Sequence, residues 1–266
     1  MYEEYFGFEK APFTRDIEVK KLYLHEDFQE LKSRLKYAID NRLFAAVTGE
    51  VGSGKTTAVR AVVDEINPVK HKLIYISQSD MSPKAFYNEI LEQIDMEPSY
   101  FKPEAKRKVN KAMMDMYQHG KTPIIILDES HLLNAKMLEE VRFLVNFNMD
   151  SLSPLCLILV GQPELSEMLS IYSLRAISQR ITIRYTLKEL SLQGVEDYIR
   201  THIKVAGSLS EIFSSEAIRE IHSYSAGIPR KINLICDKSL LHCFMSKTKI
   251  VDDILVKRII KTELDN

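Results

Sequence analysis

The stretch GEVGSGKT, Gly49 to Thr56, decides how the rest of the chain is read. Its spacing fits GxxxxGK(S/T), the phosphate-binding loop. Just before it, LFAAVTG (43–49) is a short continuous apolar run, which predicts a strand buried on both faces. Just after Gly54, TTAVRAVVDEI has helical spacing. Gly49, Gly52 and Gly54 let the backbone turn tightly, so that successive N–H groups face an anion. The helix N-terminus adds positive potential at the same point. The stretch therefore predicts nucleoside triphosphate contact by Gly49, Glu50, Val51, Gly52, Ser53, Gly54, Lys55, Thr56 and Thr57. Lys55 is expected to reach the β- and γ-phosphates, and Thr56 to coordinate Mg²⁺.

The expected partner of such a loop is PIIILDE, residues 123–129. This β-branched run reads as a buried strand closing in two acids. Asp128 at the strand end suits a place near Mg²⁺, directly or through water. Glu129, one residue on, suits the general base that polarises an attacking water. Two adjacent acids point to hydrolysis. A small-molecule kinase would need an acceptor site, and the sequence presents none.

Working outward, helices are predicted over 26–40, 82–94, 103–119 and 137–147. Further buried strands are predicted at 72–77, 155–161 and 181–187. Short buried strands alternating with helices predict a parallel sheet in an α/β fold. Beyond about Leu190 the strand signal stops, and four segments with helical spacing follow. The expected organisation is an aromatic arm (1–24), an α/β nucleotide-binding domain (25–189) and a small all-helical lid (190–266). The arm reads as irregular, packing on its own core or on a neighbouring subunit. TRDIEVKKLY, 14–23, carries no readable chemistry.

Composition narrows the function classes. With 45% hydrophobic and 27% charged residues, the chain is that of a globular protein. A net charge of −1 gives no global attraction to nucleic acid or anionic lipid, so any basic site must be local. Cys156, Cys236 and Cys243 form no CxxC pair, and read as buried reduced thiols of a cytoplasmic protein. The acidic, aromatic N-terminus does not read as a signal peptide. Apolar runs such as LCLILV (155–160) are too short to span a bilayer.

On these motifs the chain resembles the AAA+ ATPases, and the resemblance runs over nearly its whole length. It implies that the nucleotide is ATP. It also implies further site residues. Gln162, after the strand LCLILV, matches the "sensor 1" position and would order the lytic water or read the γ-phosphate. Arg180, just before the last strand, matches an arginine that acts on the nucleotide of the next subunit, with Arg175 as second candidate. Arg230 in GIPR resembles "sensor 2" of the lid. His25 would lie near the adenine. His131, in LDESH, reads as a helix-start residue rather than a coupling element.

Within AAA+, FGFEKAPF, VTGEVGSGKTT, LDESHLL, LEEVRFLVNF, ILVGQPEL and the QRI segment resemble the secretion-pathway ATPase A group and its transposon-borne relatives. The transposon branch implies a transposition helper: a homo-oligomeric ring or filament that grips duplex DNA and recruits a transposase. The secretion branch implies an envelope-assembly ATPase that does not bind DNA. The chain ends at 266 without the membrane segment and cell-wall-binding domain typical of the secretion branch, so the expectation leans to the transposition helper. For DNA, the candidates are Lys102, Lys106, Arg107, Lys108 and Lys111, with Lys84 on the preceding helix. The same cluster also reads as a solvated helix face.

Overall fold

The structure, a computed structural model, describes residues 2–14, 17–77, 81–147 and 152–264. Arg15 and Asp16, within the stretch 14–23, lie outside these. In chain order the elements are α1 (Tyr2–Phe6), α2 (Glu26–Asp40), β1 (Phe44–Thr48), α3 (Lys55–Val63), β2 (His71–Ile76), α4 (Pro83–Gln93) and α5 (Lys102–Gln118). Next come β3 (Thr122–Leu127), α6 (Ala135–Leu144), β4 (Cys156–Val160), α7 (Pro163–Ser170), α8 (Arg175–Ser178) and β5 (Ile183–Thr186). The chain closes with α9 (Leu192–Val205), α10 (Ser215–Ser225), α11 (Pro229–Ser246) and α12 (Asp253–Ile259). Two compact units result. One comprises Phe28–Gly49 and Lys55–Leu187, and the other Met1–Asp27, Glu50–Gly54 and Lys188–Asn266.

The first unit holds one all-parallel sheet in the order β2-β3-β4-β1-β5. Side chains alternate between its faces. Phe44 and Ala46, Ile74 and Ile76, Ile125 and Leu127, and Leu157 and Leu159 share one face, in a core with residues of α4 to α8. The intervening Ala45, Val47, Ile124, Ile126, Cys156, Ile158 and Val160 point the other way and are buried too. Burial on both faces is why these strands read as unbroken apolar runs. Each fully buried isoleucine contributes about 1.5–3 kcal/mol over an exposed one.

Helix starts follow local chemistry. Ser82 accepts from the Ala85 N–H at 3.3 Å, with Pro83 in the first turn of α4. Asn134 caps α6 by accepting from the Met137 N–H at 3.0 Å. That helix ends at Leu144, short of the expected 147, and Phe147 instead forms an isolated bridge with Leu152.

Glu140 on α6 joins three helices by its carboxylate. It accepts from Tyr87 Oη of α4 at 2.8 Å and from Lys102 and Lys106 Nζ of α5 at 2.7 and 2.8 Å. Burial pushes the Glu140 pKa up. The bonds from Lys102, Lys106 and Tyr87 overcome this and hold it at about 2. A depressed carboxyl pKa stabilises the fold above its unfolded value of 4.5, and that contribution is lost as pH falls toward about 2. Discounted for the solvent around the half-exposed Lys102, the effect is about 2 kcal/mol. Glu140→Gln should therefore lower stability by about 2 kcal/mol at pH 7. It should also flatten the acid dependence below pH ~4.5, in urea unfolding measured at a series of pH values. An unchanged acid profile would refute the assignment.

The second unit is helical. Its core gathers Val195 and Ile199 of α9, Ile218 and Ile221 of α10, Ile232 and Leu240 of α11 and Val256 of α12 with Tyr2, Phe6, Phe8 and Phe13. The N-terminal arm thus packs with the helices, and its start is α1 rather than irregular chain. Tyr2 Oη donates to Asp237 Oδ1 at 2.5 Å. The buried His202 ring bonds the Pro12 carbonyl at 2.8 Å and stacks on Phe13.

Candidate nucleotide site

In a parallel sheet all strand C-termini share one edge, and ligands sit there. Gly49 follows β1, Asp128 follows β3, and Gly161 and Gln162 follow β4. Register sets the three strand ends level: Val47 pairs with Val160, and Leu127 with Leu159.

Lys55, the first residue of α3, is buried and folds back to donate from Nζ to the Gly49 carbonyl at 2.7 Å. Thr56 Oγ1 donates to Asp128 Oδ2 at 3.0 Å. The same oxygen accepts from Tyr75 Oη at 2.7 Å, and Asp128 Oδ1 accepts from the Glu129 N–H at 2.9 Å. Asp128 is thereby held at both oxygens, with Thr56 beside it. Burial, then the bond to Asp128 and its charge, raise the Tyr75 pKa, so this hydroxyl stays a donor. Sequence reasoning missed Tyr75. Its only signal was a hydroxyl inside the otherwise apolar LIYI, 73–76.

Glu129 lies at φ 50° and ψ 36°, the left-handed region. For a residue with a Cβ this costs about 1 kcal/mol. The 3₁₀ turn Ser130–Leu132 follows, pinned by Ser130 Oγ donating to the Leu127 carbonyl at 2.7 Å. His131 in that turn lies 3.4 Å from Glu129 Oε2 and 3.0 Å from Gln162 Nε2. His131 thus lies in a short helical turn, as the sequence predicts, and also touches both neighbours.

Glu50–Gly54 groups with the helical unit. There the Arg230 N–H donates to the Gly52 carbonyl at 3.2 Å. Gly52 has φ +84°, and a Cβ on it would lie 2.5 Å from Arg230 Cβ, so only glycine fits. Thr57 follows Thr56 on α3, and Val51 is exposed.

The loop suits a phosphate chain on two observations. Ser53 Oγ is buried with no hydrogen-bond partner among the described residues. Space beside Gly54, at φ +104°, is open where a side chain would otherwise sit. Lys55 would offer a phosphate chain a cation, and Thr56 with Asp128 would offer oxygen atoms of the kind Mg²⁺ prefers.

Arg180 donates from Nη1 to the Arg142 carbonyl at 3.1 Å, in a cleft of about 530 Å³ lined also by Phe143, Asn146, Ala176 and Gln179. Arg175 opens α8 and is exposed. His25, its pKa lowered by burial, stacks on Tyr23. Lys102 and Lys106 are tied to Glu140, Lys108 lies 3.7 Å from Glu104, and Lys84 sits over the Tyr100 ring. Of the basic cluster, Lys84, Lys102, Arg107 and Lys111 are exposed.

Residues 38–169 match the family profile of the AAA domain. These residues form an AAA domain. The chain is 35% identical over 253 residues to General secretion pathway protein A of Aeromonas hydrophila, spanning 92% of this chain and 45% of that protein. The chain thus spans less than half the length of that relative. Among solved structures, Drosophila ORC bound to DNA is similar at TM-score 0.72 and 19% identity, covering 94% of this chain and 63% of that one. Cdc6p from Pyrobaculum aerophilum follows at TM-score 0.71 and 15% identity, covering 91% and 67%. At such identities the likeness is one of AAA+ fold. No helix among the described residues is long and apolar enough to cross a membrane.

Proposed function

We propose that this chain is the ATP-hydrolysing module of an envelope-assembly machine of the secretion class. The observation that carries this reading is the 35% identity to a secretion pathway protein across 92% of the chain. Lys55 binds the β- and γ-phosphates, while Thr56 and Asp128 hold Mg²⁺. With Mg²⁺ bound there, Thr56 and Asp128 would place a Lewis acid that offsets the negative charge developing on the phosphate oxygens. Glu129 takes the proton of the attacking water, and Gln162 orients that water. Arg230, on the helix that touches Gly52, reports the phosphate state to the helical unit. Arg180 serves the site of a neighbouring copy, so activity depends on self-association.

This order reverses the sequence expectation of a transposition helper. The secretion relative argues against it, and so do the lysines: Lys102 and Lys106 already share Glu140, so they offer phosphates less than their count implies.

One experiment separates the two. Hydrolysis per subunit is followed against protein concentration, with and without duplex DNA, over a range of salt. A rate that rises with concentration and ignores DNA is expected. Duplex binding that requires ATP and weakens steeply with salt would restore the transposition reading.

A further inference from the structure

Glu129 and Gln162 follow the adjacent strands β3 and β4, and one imidazole lies between them. His131 Nδ1 is 3.4 Å from Glu129 Oε2, and its Nε2 is 3.0 Å from Gln162 Nε2. The ring is only 12% exposed. Gly161 lets the strand end approach the turn. A Cβ there would lie 3.2 Å from the His131 N and 2.9 Å from Leu165 Cδ2.

The donors around the ring allow two tautomers, one for each orientation of the Gln162 amide. The Gln162 amide nitrogen can only donate, so His131 Nε2 accepts. With the amide in that orientation the ring proton sits on Nδ1, 3.4 Å from the Glu129 carboxylate, and the Gln162 backbone N–H, also 3.4 Å from Nδ1, finds no acceptor there. Turning the Gln162 amide over gives a second arrangement, in which that N–H is matched. Its oxygen accepts from Nε2–H, Nδ1 accepts from the Gln162 backbone N–H at 3.4 Å, and Glu129 is released. The orientation of one amide thus decides whether the carboxylate is held.

We propose that His131 is a positioning residue that couples Gln162 to Glu129, holding the carboxylate with the amide one way and freeing it with the amide turned. The proposal rests on Glu129 acting as the base. The left-handed backbone at Glu129 makes an outside hold on its side chain useful, because local sterics disfavour that conformation.

The test measures nucleotide affinity and steady-state ATP turnover on the full chain. The variants are His131→Ala, His131→Asn, Gln162→Ala and the His131→Ala/Gln162→Ala double. Thermal unfolding checks the fold, and Glu129→Gln serves as reference. His131→Ala should lower kcat by about 30-fold and leave KM within about twofold, because position rather than binding is lost. His131→Asn, whose amide still donates, should recover part of the rate. The double should be slower than either single variant but by less than the product of the two losses, since Gln162 also orients the water while part of its effect runs through His131. Losses that multiply in the double, or an unchanged kcat in His131→Ala, overturn the proposal. If His131→Ala fails to fold, His131→Asn combined with Gln162→Ala carries the same comparison. Wild-type turnover in Glu129→Gln defeats the base assignment and this proposal with it. An inactive Glu129→Gln beside a fully active His131→Ala defeats the role of His131 alone.

Discussion

Glu129→Gln should bind ATP and fail to hydrolyse it. The substitution is nearly isosteric, so the turn after β3 and the donation from the Glu129 N–H to Asp128 Oδ1 persist. What disappears is the proton acceptor. Loss of a positioned general base costs about 10²- to 10⁴-fold in rate. The nucleotide contacts of Lys55, Thr56 and Asp128 are untouched, so affinity should stay within about threefold, under 1 kcal/mol. Single-turnover hydrolysis with a fluorescent nucleotide separates the two quantities. ATP-dependent self-association should persist longer than in the wild type, because the bound state no longer decays. Hydrolysis at the wild-type rate would remove Glu129 from the mechanism.

Lys55→Ala should lose nucleotide binding itself. The Lys55 ammonium is buried and held on the Gly49 carbonyl at 2.7 Å, so it is already positioned beside the loop. Hydrogen bonds between charged groups contribute about 1.5–3 kcal/mol each. Losing contacts to two phosphates predicts a drop in affinity of at least ~100-fold. A ligand that binds only the folded state raises its stability by RT ln(1 + [L]/Kd), about 2.7 kcal/mol at one hundred times Kd. ATP should therefore raise the melting temperature of the wild type by several degrees and leave that of Lys55→Ala unmoved. An equal ATP-induced shift in both proteins would refute the role of Lys55.

The two predictions differ in how visible their residues were. Lys55 and Glu129 were legible because each belongs to a local pattern: a glycine loop between a strand and a helix, and acids at the end of a buried strand. Tyr75 and His131 were not. The bond from Tyr75 to Asp128 spans 53 residues, and that from His131 to Gln162 spans 31. Nothing in either neighbourhood encodes its partner. Gly161 was read only as part of a strand end, yet its missing side chain is what admits the His131 turn.

The basic cluster shows the same limit from the other side. KPEAKRKVNK looks like a row of available cations, because charge along a chain is additive on paper. Folding sets Glu140, 34 residues beyond Lys106, between two of them. The sequence by itself determined the alternation of strand and helix, the phosphate loop and the acids beside it. Periodicity and glycine spacing act over a few residues, and they survive in any fold that buries those strands. Only the tertiary structure decided which carboxylate each lysine meets, which hydroxyl steadies Asp128, and that one imidazole stands between Glu129 and Gln162. Those contacts come from the order and register of parallel strands, which bring distant segments to a common edge.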